Sequence, residues 1–112
     1  MSGALNVFKT VTANLTTSSD SVYSPPIGYS SVILLAQISN TDLANSVQVS
    51  ARLGRTVGVS TVLVGNITIP TDDAINVLTG RLIMTFGDTF QVSASANSSA
   101  QLTLSLLETL TG

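Results

Sequence analysis

The side chains that could do chemistry in this chain are few and scattered. Lys9, Arg52, Arg55 and Arg81 are its cations, set against six carboxylates, and it has neither histidine nor cysteine. Histidine is the usual general base, so its absence removes the commonest route to proton transfer. Sixteen serines are present, but a serine nucleophile needs an activating base and a group to orient that base. No catalytic residue is assigned, and the chain is read as a non-enzyme. Without cysteine there is no disulfide and no thiolate metal site. The densest carboxylate signal is Asp72-Asp73, just after Pro70. A hard cation would need these two plus several loop oxygens. Adjacent residues of an extended chain point apart, and no DxDxDG pattern surrounds them, so they are read as turn residues bonding to their own backbone. Asp88, in "FGDT", has the same status. No metal site and no cofactor are expected. Arg52 and Arg55 flank a turn at Gly54, where either could grip a carboxylate on a partner.

Composition narrows the classes further. Only 9% of the 112 residues are charged, against about 25% in an ordinary domain. Hydrophobic residues make up 44% and the mean hydropathy is +0.47, which is the opposite bias from a disordered chain. A net charge of −2 with four dispersed cations provides no basic stripe for phosphates, so neither nucleic acid nor an anionic membrane is an expected partner. "MSGALNVFKTVTANL" has no basic region followed by a long apolar one, so no secretory signal is expected. "VILLA", Val32 to Ala36, is too short to span a bilayer. The N-x-S/T triplets at Asn14, Asn66 and Asn97 are the chance matches expected of a chain with sixteen Ser and fifteen Thr. Five aromatics and no tryptophan make a poor platform for stacking on sugar rings.

What must position these residues is a set of short strands. Val7 to Leu15 alternates, "TTSSDS" reads as a loop, and "VYSPPIGY" as an extended edge or turn. Tyr29 to Ser39 is the most apolar strand, and apolar residues on both faces from Val32 to Ala36 call for cover on both sides. "VQVSARL" alternates cleanly, with Val47, Val49, Ala51 and Leu53 facing in and Gln48, Ser50 and Arg52 facing out. "STVLVGNITIP" is a strand with a turn or bulge at Gly65-Asn66, ended by Pro70. "TDDAINVLTG" and "RLIMTFGD" carry further short strands. Phe90, Val92, Ala94 and Ala96 form one face of the next strand, and Leu102, Leu104 and Leu106 one face of the last. Those two flank Asn97-Ser98-Ser99 and read as a β-hairpin. About eight short strands at ten-residue spacing are the signature of an all-β sandwich or barrel; a single jelly-roll-like β-sandwich, with residues 1–112 as one domain, is expected. The candidate interface residues are Val32, Ile33, Leu34, Leu35, Arg52, Arg55, Leu106, Leu107 and Leu110, and a homo-oligomer, a trimer at first guess, is expected.

"TGRLIMTFGDTFQVSASANSSAQLTLSLLE", Thr79 to Glu108, resembles the C-terminal half of small virion structural proteins of tailed bacteriophages. The shared pattern is a Thr-Gly step, a short apolar strand, Gly-Asp, an alternating strand, and a last strand closing on Leu-Glu. "VYSPPIGYSSVILLAQISNTDLANSVQVSARLG" resembles them as well. The resemblance implies a non-enzymatic capsid decoration or cement protein that bridges capsid subunits in the virion, with the major capsid protein or other virion proteins as partners. The alternatives are a neck, tail or baseplate accessory protein, or a ligand-binding β-module of an adhesin or fibre.

Overall fold

The alternating segments do form strands, and their apolar sides meet. In a computed structural model that describes residues 6–56, 58–78 and 80–110, nine strands are present among those residues. They are β1 (Asn6–Asn14), β2 (Asp20–Tyr23), β3 (Tyr29–Asn40), β4 (Val47–Gly54), β5 (Thr61–Ile69), β6 (Ala74–Asn76), β7 (Leu82–Thr85), β8 (Thr89–Ala94) and β9 (Ala100–Leu110). Val57 and Thr79, with residues 1–5 and 111–112, lie outside the described residues.

The strand pairs are nested. β1 pairs with β9, β2 with β8, β3 with both β6 and β7, and β4 with β5, all antiparallel. The chain is thus a long ribbon whose closed tip is the β4–β5 hairpin. Rolling that ribbon adds the β3–β9 and β4–β8 ladders. Two sheets result: sheet I, in the order β1-β9-β3-β6 with β7 also on β3, and sheet II, in the order β2-β8-β4-β5. This is jelly-roll connectivity, with one strand of the usual eight split into β6 and β7.

The core lies between the sheets. Ile33, Ala36, Ile38, Met84, Leu102, Leu104 and Leu106 come from sheet I, and Val47, Val49, Ala51, Leu53, Phe90, Val92 and Ala94 from sheet II. Burying side chains of this size stabilises by roughly 1.5–3 kcal/mol each for the larger ones.

Three expectations need correction. β8 and β9 do not form a hairpin, because β8 belongs to sheet II and β9 to sheet I. Their connection arches from one sheet to the other and stacks on the β1–β2 connection. The Ser98 amide donates to the Leu15 carbonyl at 3.0 Å, and the Thr17 amide to Asn97 Oδ1 at 2.9 Å. "TTSSDS" is not all loop, since β2 starts at Asp20. Ala96 lies past the end of β8 and is exposed.

The apolar run of β3 is resolved by a bulge. Ile33 pairs with Leu106 and Leu35 with Ser105, so Leu34 is an extra residue. A bulge of one residue reverses the facing of the residues beyond it. Ile33 and Ala36 therefore both point into the core, at 0% exposure, while Leu34 is 43% exposed. The Gly65-Asn66 feature of β5 is also a bulge, falling between the pairs Val49–Ile67 and Ala51–Val64. Asn66 takes a positive φ of 50° there, and its amide donates to Ser50 Oγ at 2.9 Å.

Candidate interaction surface

Register places side chains in rows across the outer face of sheet I. Phe8 pairs with Leu107, Leu107 with Val32, and Val32 with Ile83. These four residues form one apolar row across four strands, about 14 Å at ordinary strand spacing. Phe8 is 77% and Ile83 68% exposed at the two ends, with Leu107 and Val32 half-buried between them. The bulge sets Leu34 and Leu35 beside this row. The neighbouring rows are polar: Asn6, Thr109, Ser30 and Thr85 on one side, and Thr12, Thr103, Gln37 and Asn76 farther along on the other. An uncharged apolar band framed by hydroxyls and amides has the composition of an interface centre.

Of the nine candidate residues from sequence, Val32, Leu34, Leu35 and Leu107 gather on this band. Ile33 and Leu106 are buried in the chain's own core, at 0% and 1% exposure, and have no surface to present. Leu110 is half-buried at the end of β9, opposite Tyr29. Phe8 and Ile83 belong to the band and were missed. Strand alternation puts both outward, but only the register shows that they share a row with Val32.

The two arginines separate. Arg55 Nε donates to Asp88 Oδ1 at 3.2 Å. Asp88 is 4% exposed and does more than turn the chain. Its Oδ2 accepts the Thr85 amide at 3.0 Å, and its carbonyl accepts the Ser24 hydroxyl at 2.8 Å. One residue thus fastens the β2–β3, β4–β5 and β7–β8 connections together. Arg52 faces out of sheet II, opposite Gln91 and Val62, and forms no ion pair among the described residues. It lines a shallow cleft of about 320 Å³ with Ser50, Gln91, Ser93 and Asn66.

A second buried carboxylate escaped the sequence reading. Glu108 continues the inward series of Leu102, Leu104 and Leu106 and is 3% exposed. Lys9 Nζ lies 3.2 Å from its Oε1, and the Tyr23 hydroxyl donates to its Oε2 at 2.7 Å. Tyr23 also hydrogen-bonds Ser31. Burial pushes the Tyr23 phenol well above its ordinary range and Glu108 adds to that, while the Ser31 hydroxyl opposes it. Asp72 and Asp73 form a turn as expected: Asp72 has φ 60°, the Asp73 amide donates to the Pro70 carbonyl at 3.2 Å, and Asp73 Oδ1 accepts the Ala74 amide. Among the described residues no three acidic side chains cluster in a way that could hold a metal ion.

No family model matches the sequence, and no curated protein does. Among solved structures the chain is similar to one from Bacillus endospore appendages, described as forming a novel family of disulfide-linked pili. The TM-score is 0.53 at 10% sequence identity, over 96% of this chain and 88% of that one. At that identity the likeness is one of fold, and the fold shared is the two-sheet sandwich described above.

Proposed function

We propose that this chain is a non-enzymatic structural subunit, present in many copies in a larger protein assembly and docked there through the outer face of sheet I. The observation that carries this reading is the apolar row Phe8–Leu107–Val32–Ile83, with Leu34 and Leu35 beside it, on a face whose flanking rows bear Ser, Thr, Asn and Gln. An apolar patch on an outer face marks a contact with another macromolecule more often than an accident of composition. The fold likeness to a pilus-forming protein supports a building-block role. Those pili are described as disulfide-linked, whereas this chain has no cysteine, so its contacts would be non-covalent. The finer form of the proposal is the one the sequence resemblance implies: a decoration or cement protein on a tailed-phage capsid, bridging neighbouring subunits.

Quantitative mass spectrometry of purified virions and of surface filaments from producing cells tests both levels. Many copies per virion are expected. Copies in filaments and none in virions would replace the capsid reading with an appendage one. Recovery only as free protein, with no assembled fraction, would remove the structural reading altogether.

A ligand-binding module is the second reading, and the sheet II cleft around Arg52 favours it. It requires saturable binding of a carboxylate-bearing ligand that Arg52→Ala abolishes.

A further inference from the structure

The four edges of the sandwich are not equally protected. Natural sheets guard their edges with short strands, bulges, prolines or inward charges, because an open edge accepts any strand that can bond to it. On sheet I, one edge of β3 is covered by two fragments, β6 of three residues and β7 of four. On sheet II, β2 has four residues and a register shift against β8. β5 has nine residues, but two register shifts against β4 and a glycine break its line. β1 is different. It runs for nine residues in continuous register with β9, and among the described residues it pairs on that side alone. It contains no proline and no glycine, and it is rich in strand-forming Val, Phe and Thr. Its one guard is Lys9, whose charge already meets Glu108 at 3.2 Å.

We infer that β1 is a docking edge and that its occupant is β1 of a second copy of this chain, running antiparallel across a twofold axis at Thr10. The chemistry of an open edge, alternating N–H and C=O groups, calls for a strand. The sequence of β1 fits its own reverse. With the axis at Thr10 the strands overlap over their full length, Asn6 against Asn14, Val7 against Ala13, Phe8 against Thr12, Lys9 against Val11, and Thr10 against its own copy. Aromatic against β-branched and Thr against Thr are favourable cross-strand neighbours. No like charges stand directly opposite, and the two Lys9 ammonium groups, diagonal to each other, each keep their own Glu108. The joined sheet would carry the apolar band of each copy on one continuous outer face. The inference rests on the edge geometry and not on the proposed function. A monomer would overturn it and leave sheet I free to dock on another protein.

The test uses the full chain in sedimentation equilibrium, with Thr10→Lys and Thr10→Glu as variants. Thr10 is exposed, so both variants should fold, and circular dichroism with melting curves checks that they do. The wild type is expected to be a dimer. Each variant alone should be monomeric, because the axis sets like charges face to face, and an equal mixture of the two should recover the dimer. A wild-type monomer at every concentration up to the solubility limit overturns the inference. So does a wild-type trimer, a dimer that survives Thr10→Lys, or a mixture that stays monomeric.

Discussion

The ammonium of Lys9 reaches inward from the edge strand β1 to within 3.2 Å of Glu108, a carboxylate buried at the end of the leucine row of β9. The two partners are unequally placed. The Lys9 side chain is 46% exposed and that of Glu108 only 5%. Water can therefore receive the lysine if its partner is lost, whereas the carboxylate stays in the core.

Stability should respond to that asymmetry. Lys9→Met leaves a buried carboxylate without its cation and is expected to cost about 2 kcal/mol, below the usual range for a broken buried pair because Tyr23 still donates to it. Glu108→Gln keeps an acceptor for Tyr23 and frees a lysine that is already half in water, so about 1 kcal/mol is expected. Urea denaturation of both variants, with equal slopes, measures the order. A costlier Glu108→Gln would show that the cation, not the carboxylate, is the trapped partner.

Much of this was legible in the chain. The series Val47, Val49, Ala51, Leu53 and the series Leu102, Leu104, Leu106 fixed which sides of β4 and β9 face the core, because a two-residue period leaves no choice once one face is apolar. Extending the second series by one step reaches Glu108, so its inward position was there to be read. The partner of a strand was not. The alternation of β8 and β9 is the same for a hairpin as for an arch between sheets, and only the long-range ladders to β4 and β3 distinguish them. The run from Val32 to Ala36 misled for a different reason. A bulge at Leu34 changes facing midway, and nothing local marks it, since no glycine or asparagine sits there.

Tyr23 makes a prediction at high pH. Its phenol, raised mainly by burial, holds its proton in the folded chain beyond the ordinary tyrosine value of about 10. A raised value means that the unfolded chain releases the proton first, so the contribution is whole below about pH 10 and is lost as pH climbs past it. Melting temperature should thus decline on the alkaline side. Tyr23→Phe should flatten that decline, at some cost at neutral pH from the hydrogen bonds to Ser31 and Glu108. An alkaline slope unchanged in Tyr23→Phe would place its cause elsewhere.

At the same end of β8, just before its first residue, Asp88 should matter more than its ion pair. Asp88→Ala removes the acceptor for the Thr85 amide and for Arg55 together, and about 2 kcal/mol is expected from a buried donor left unmet. Arg55→Ala also leaves a buried carboxylate without its cation, but that cation is 41% exposed and Thr85 still donates to Asp88 through both its amide and its hydroxyl, so a smaller loss of about 1 kcal/mol is expected. Gly87→Ala should also destabilise. Its φ is 97°, and an added Cβ would come within 2.7 Å of Thr56 Oγ1. Backbone strain of this kind costs on the order of 1–3 kcal/mol. Chemical denaturation of the three variants gives the ranking, and equal losses for Asp88→Ala and Arg55→Ala would show that the ion pair carries the whole effect.

The apolar band makes the prediction that separates packing from charge. Ile83→Lys changes a side chain that is 68% exposed, so the free protein should keep its stability to within about 0.5 kcal/mol. In the assembly the same change buries an unpaired ammonium, and retention should fall sharply. Sodium chloride should weaken retention of the wild type little, since screening acts on exposed charges and the band has none. Sulfate should strengthen it, because that salt favours apolar burial. Arg52, which forms no ion pair among the described residues, is the side chain that could introduce a salt-sensitive component, and Arg52→Ala isolates it. The measurement is the fraction of protein retained on purified particles or filaments across both salt series. Complete release at moderate sodium chloride, reversed on dilution, would show that charge holds the protein in place and that the band of Phe8, Leu107, Val32 and Ile83 is not the contact.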